Sequence, residues 1–264
     1  MKSKKIILDI LLIVLIIPIS ILLIWTITSR WTYPKLIPTD YSLRGFEYIL
    51  NTYNIKILIN SILISIIVIL ITIIISIPAA KAISIYEFRG KKLFEILVLS
   101  PIIVPMISIA MGVHITFLRN GLANNIIGVI IINILPCIPY AVKMIADIYN
   151  LVGEKLEIQA KLLGANSINT FRYITLLLIF PGVIGASSMC FIISFSQYFL
   201  TMLIGGGNII TYPMVMFPYI QSGDRTVAAL YSLVFLIVSI VVLILVEGKI
   251  KKYYLNNKNN YFLG

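Results

Sequence analysis

The residues able to do bond chemistry are few, and their spacing argues against an enzyme. His114 is the single histidine and lies in an apolar run. One imidazole gives neither a metal cluster nor an H-E-x-x-H pair, and Ser-His-Asp catalysis would have to be assembled around that one ring. Gly205-Gly206-Gly207 follows an apolar run and lacks the lysine of a phosphate-binding loop. Lys143 and Asp147 stand four apart, on one helix face, while Asp9 and Glu247 sit at the ends of apolar runs. A gradient-driven carrier or channel, the competing reading, would place acidic groups near the middle of the membrane. The absence of any there implies that energy for transport comes from elsewhere. What remains is a set of neutral polar residues in one apolar run: Ser187, Ser188, Ser194, Ser196, Gln197, Tyr198 and Thr201. They fit hydrogen bonding and close packing between helices. They also fit a polar wall of a translocation path, centred on Ser194, Gln197, Tyr198 and Thr201. His114 carries the same two readings.

The elements that position these residues are membrane spans. The chain has 264 residues, 60% of them hydrophobic and 12% charged, against about 45–50% and about 25% in soluble domains. The net charge of +11 is read as basic residues flanking spans. Nucleic-acid binding is not expected, because no basic patch interleaved with aromatics stands outside the apolar runs. Cys137 and Cys190 both lie in apolar runs and read as small buried hydrophobes, with no disulfide framework.

Six runs have the ~20 residues needed to cross hydrocarbon: about residues 6–28, 57–83, 94–117, 126–148, 174–204 and 226–246. The first, preceded by Lys2, Lys4 and Lys5, is too long for a signal-peptide core and has no small-residue cleavage site. Trp25, Trp31, Tyr33 and Tyr41 suit an aromatic belt. After Pro34 and Pro38, residues 42–50 read as a short interfacial helix, and 208–225 as a loop. With both termini placed inside, fifteen of the twenty-one Lys and Arg residues fall in inner segments and six in outer ones. Positive charge collects on the cytoplasmic side, so the expectation is an all-α membrane protein with six transmembrane helices and both termini cytoplasmic. Residues 1–264 form one transmembrane domain, and a cytoplasmic loop at about 150–173 joins spans four and five.

That loop runs into the most patterned polar stretch of the chain, EIQAKLLGANSINTFRYITLLLIFP, Glu157–Pro181. Ala160, Leu163, Phe171 and Ile174 keep an apolar stripe, and Gly164-Ala165 interrupts it. The pattern predicts two short helices lying on the membrane face with a bend at Gly164. An amphipathic helix resting on lipid has the same appearance.

At this stretch the chain resembles the permease subunits of type I ABC importers. Their signature is E-A-A, three residues, Gly, nine residues, Ile, one residue, Leu-Pro. Gly164 anchors the match, Ala160 takes the second alanine, and Ile174-Thr175-Leu176 follow at the right distance. Ala165, Phe171 and Pro181 are also residues common in that family. The signature's glutamate falls on Ile158, with Glu157 one residue early; its first alanine is Gln159 and its proline Leu177. Ala160 and Gly164 therefore carry the match more than Glu157 does. The six-span layout and the late stretch SFSQYFLTMLIGGGNIITYPM extend the resemblance over nearly the whole chain, toward the branch handling polyamines, iron, thiamine or phosphonates.

The resemblance implies an ATPase-coupling loop comprising Glu157, Ala160, Gly164, Ala165 and Phe171. Gly164 would permit the turn that makes the loop a compact knob, and Ala160 would keep its docking face thin. It implies a multi-pass protein of a bacterial cell membrane that carries out no chemistry and binds no cofactor or metal. ATP-Mg would be used by two separate ABC ATPase subunits. The other implied partners are a second permease, identical or paralogous, an extracellular solute-binding protein and the lipid bilayer.

Overall fold

The computed structural model describes residues 2–31, 35, 37, 38 and 40–261, the side chains of 2–10, 12, 13, 15, 30 and 249–261 excepted. Tyr33 and Pro34, read above as belt and entry residues, lie outside the described residues, as do the side chains of Lys2, Lys4, Lys5, Asp9 and Arg30. Long Ile-Leu-Val runs cannot leave peptide groups bare in hydrocarbon, so they close their hydrogen bonds within helices. The helices are α1 Lys2–Thr26, α2 Arg44–Ile49, α3 Thr52–Ile85, α4 Lys91–Ile103, α5 Met106–Arg119, α6 Ile126–Ile134, α7 Ile138–Val152, α8 Lys155–Leu162, α9 Ser167–Thr170, α10 Leu176–Phe195, α11 Phe199–Gly205, α12 Tyr212–Ser222 and α13 Arg225–Tyr261. A π turn, Phe171–Thr175, joins α9 to α10. Strands β1 Thr28–Arg30 and β2 Asp40–Tyr41 pair antiparallel. Among the described residues three helices are long and apolar enough to cross a membrane, or five when each of two bent pairs counts as one span.

The chain divides into two compact units. One comprises Met1–Ile59 and Thr211–Ile240. Here the Thr226 hydroxyl donates to the Thr28 carbonyl at 2.5 Å, and Arg44 grips both carboxylate oxygens of Asp224 at 2.6 and 2.8 Å. Asp224 also receives the Val227 N–H at the start of α13. Arg225 lies 5.3 Å from the Trp25 ring centre, and Trp25 and Trp31 stand 5.1 Å apart. A short helix, α2, occupies most of the stretch 42–50 where one was expected. Residues 208–225, however, are not simply a loop, because α12 occupies most of them. Pro213 lies in its first turn, where a missing N–H costs nothing, and Gly223 ends it in the left-handed conformation.

The second unit comprises Asn60–Ile210 and Val241–Gly264. Three of its apolar runs, each expected to be one span, are interrupted. The run at 94–117 is α4 and α5, set 104° apart. Pro101 and Pro105 lack the N–H groups that the carbonyls of Leu97 and Pro101 would use, and Val104, preceding a proline, is extended. The Ser100 hydroxyl donates to the orphaned Leu97 carbonyl at 2.8 Å. The run at 126–148 bends by 46° between α6 and α7, beside Pro136 and Pro139. The run at 174–204 breaks at Ser196–Tyr198. There the Ser196 hydroxyl donates to the Ile193 carbonyl at 3.2 Å, and the Gln197 N–H to Ser194 at 3.2 Å, tightening the last turn of α10.

Helices α7 and α10 pack along a seam of small residues: Ala141, Gly182, Ala186, Cys137 and Cys190. A β-carbon on Gly182 would lie 3.0 Å from the Met144 carbonyl oxygen and 3.1 Å from the Ile145 Cα, so glycine permits this approach. Both cysteines are free and buried, each Sγ 3.7 Å from the other's carbonyl oxygen. That is the small-hydrophobe role expected from sequence.

Candidate functional site

The segment between α7 and α10 is built as its residues dictate. Helix α8 ends in a Schellman motif: the Ala165 N–H reaches the Ala160 carbonyl and the Gly164 N–H the Lys161 carbonyl, both at 3.0 Å. The motif needs a left-handed residue, and Gly164 supplies it at φ +89°. Asn166 then caps α9, its side-chain oxygen accepting the Asn169 N–H at 2.8 Å. Two short helices with a turn at Gly164 are thus present as expected. A β-carbon at Gly164 would touch nothing within 4 Å, so the glycine answers a backbone requirement within this chain.

The two faces of α8 differ. Glu157 and Ala160, three apart, are both 6% exposed. Glu157 takes the Lys81 ammonium on Oε2 and the Thr175 hydroxyl on Oε1 at 2.6 Å. Lys81 comes from the end of α3 and Thr175 from the π turn before α10. Burial alone would raise the Glu157 pKa, but the bonds from Lys81 and Thr175 and the nearby charges of Lys81 and Lys161 hold it below the ordinary 4.5. The other face carries Ile158, and beyond it Leu162, Leu163 and Ile168 are 82%, 89% and 75% exposed. Phe171 is 43% exposed and Ala165 half-buried.

Ala160 therefore lies on the inward face of α8, where its small side chain serves packing within the chain. Lys81 and Thr175 were not singled out by sequence. Their link to Glu157 spans 76 and 18 residues, and a lysine at the end of an apolar run reads only as a topology marker.

The three helix interruptions of this unit meet at one cavity of about 430 Å³. Val104 and Pro105 line it at the first break, Pro136 and Tyr140 at the second, and Ser196 and Gln197 at the third. Irregular backbone at membrane depth is tolerated where protein buries it or where it borders a water-filled cavity. Of the residues proposed for a translocation path, Gln197 lines this cavity. Ser194 is buried, and its hydroxyl makes no hydrogen bond. Thr201 is also buried and accepts the Asn133 amide at 3.3 Å. Tyr198 is half-buried at the N-terminal end of α11. Among the described residues no group of three His, Cys, Asp or Glu comes together as a metal site.

The arrangement offers a partly apolar knob tied to two long helices, and a cavity lined by neutral residues where helices are broken.

No protein-family model matches the chain. It is 27% identical over 135 residues to a molybdate/tungstate transport system permease protein of Pyrococcus abyssi, covering 51% of this chain and 54% of that one. The chain thus spans about half the length of these first relatives. It is 24% identical over 175 residues to the putrescine transport system permease protein of Escherichia coli, covering 63% and 62%. A crystal structure of a bacterial ABC transporter involved in the import of the acidic polysaccharide alginate contains a chain of the same fold. The TM-score is 0.70 at 18% identity, with 95% of both chains covered. The resemblance to permease subunits of type I ABC importers is borne out, and the chain is a multi-pass, mainly helical membrane protein.

Proposed function

We propose that this chain is the membrane-spanning subunit of an ATP-driven importer, forming part of the solute pathway and passing on work done by separate ATPase subunits. The observation that carries the reading is the α8–Gly164–α9 knob. It lies in the polar segment between candidate spans and presents Leu162, Leu163 and Ile168 outward while Glu157 and Ala160 face inward. Exposed leucines on a polar segment cost hydration free energy unless something covers them. An ATPase cleft is the partner that the signature spacing around Gly164 implies.

Six spans with both termini cytoplasmic place this knob on the ATPase side, as the charge distribution favours. A second permease, identical or paralogous, completes the pathway, and an external binding protein delivers the solute. The setting is a bacterial inner membrane. ATP closes the ATPase pair, the knobs move with it, and the spans shift from inward- to outward-facing. ATP drives this only through its differential affinity for the two states. The cavity at the helix breaks belongs to the pathway. Its size suits a small solute, polar or cationic, and the relatives are named for small charged ones, molybdate/tungstate and putrescine.

The test is whether an ABC ATPase co-purifies with this chain from membranes of cells that natively express it. Leu162→Asp with Leu163→Asp is expected to abolish capture while the chain still inserts and purifies. Undiminished capture would refute the docking assignment.

A further inference from the structure

The knob is bolted to the rest of its unit at one buried point, and that point is ionic. Glu157 is on the face of α8 turned away from the exposed Leu162 and Leu163. Its two carboxylate oxygens are taken by groups from two different elements, Lys81 at the end of α3 and Thr175 at the entry to α10. Ala160, three residues on along α8, and Tyr149 near the end of α7 are buried as well, 6% and 3% exposed.

A buried carboxylate with both oxygens engaged is a stiffer joint than apolar packing alone. Any slide of α8 must stretch directional bonds on both sides. A lone buried charge is costly, so the pair also resists separation.

Building on the reading of the chain as an ATP-driven permease subunit, we propose that Glu157 is a positioning residue that makes α8, the inner end of α3 and the start of α10 move as one body. In this assignment the carboxylate makes no contact with the ATPase. It converts a push on Leu162 and Leu163 into movement of two helices. The π turn at Phe171–Thr175 supports it, because one extra residue in that turn brings the Thr175 hydroxyl to 2.6 Å from Oε1. π turns of this kind recur at functional positions.

The experiment uses the full complex, this chain with its ATPase and binding protein, in proteoliposomes. ATPase capture, ATP hydrolysis and solute uptake are measured on the same preparation. Glu157→Gln keeps shape and loses charge. It is expected to capture ATPase and hydrolyse ATP within about twofold of the unaltered complex, while uptake per ATP falls about tenfold. Exchange of the pair, Lys81→Glu with Glu157→Lys, is expected to recover much of that ratio. Where Glu157→Gln does not accumulate in membranes, Thr175→Val supplies the same readout with the ion pair intact, with a two- to threefold fall that Thr175→Ser restores.

Loss of ATPase capture by Glu157→Gln equal to that of Leu162→Asp with Leu163→Asp would make Glu157 a docking residue and overturn the proposal. So would an unchanged uptake per ATP in Glu157→Gln, or in Thr175→Val where that variant is used. If the unaltered chain captured no ATPase, the underlying reading would fail and the proposal with it, a result visible without any substitution at 157.

Discussion

Replacing Gly164 separates what the backbone needs from what a partner needs. The residue sits at φ +89° in the Schellman motif that ends α8. Left-handed backbone costs an ordinary L-residue roughly 1–2 kcal/mol, less for asparagine, and more for a β-branched valine, toward ~3 kcal/mol. No steric cost is added inside the chain, because a β-carbon there meets nothing within 4 Å. In the isolated chain, local loosening of this surface turn limits the cost, so Asn and Ala at 164 should lower the unfolding temperature by a few degrees at most and Val by somewhat more. The complex should respond differently. A turn weakened by about 1 kcal/mol lowers the docked population about fivefold, and a side chain pointing outward also meets the ATPase surface. Affinity for the ATPase, measured by titration in detergent, should fall in the order Gly, Asn, Ala, Val. Substitution by Phe should abolish binding, while unfolding temperatures stay within a few degrees. Equal affinity across the series, or loss of affinity matched by unfolding of the chain, would refute this reasoning.

Other substitutions test other parts of the structure. Gly182→Leu should destabilise the chain by about 1–3 kcal/mol through overpacking of the α7–α10 seam, read as a fall in unfolding temperature. At Gly185 the nearest atom to an added β-carbon is the mobile end of Met144, so Gly185→Ala should cost less than Gly182→Ala. The Glu157 pKa is held down in the fold, so its contribution to stability is full above the ordinary 4.5 and is lost as pH falls through the lower folded value. The groups facing this carboxylate are Lys81, Thr175, Tyr149 and Lys161. The stability difference between the unaltered chain and Glu157→Gln should stay constant from pH 7 to about 4.5 and shrink below, as thermal unfolding across pH would show. Gln197→Leu, in the cavity at the helix breaks, should change uptake KM or rate by several-fold with little change in unfolding temperature.

Much of this arrangement was legible because bilayer physics leaves few options. Uninterrupted Ile-Leu-Val runs became α3 and α13, although α13, starting where expected, runs on to Tyr261, fifteen residues past the expected end; Gly164 announced a turn between two short helices. The breaks were only half legible. Pro101, Pro105 and Pro136 stand in runs expected to be single spans, and whether a proline kinks a helix by 46° or turns it by 104° depends on what packs around the freed carbonyls. Helix α12 was hidden because YPMVMFPYIQS carries two prolines, although Pro213 stands in the first turn, where proline opens a helix. Least legible was the Glu157 joint. Its partners lie 76 and 18 residues away, and a signature offset by one residue drew attention from a carboxylate that the fold buries.

In the function proposed here, this chain moves solute only when an ATPase works on its knob. The most direct measurement is solute uptake into proteoliposomes holding this chain, its ATPase and its binding protein. ATP and ionophores that collapse all ion gradients are added separately. Uptake should require ATP, persist with ionophores and disappear in the Leu162→Asp, Leu163→Asp double variant. Uptake by the chain alone that follows an ion gradient and ignores ATP would contradict that function.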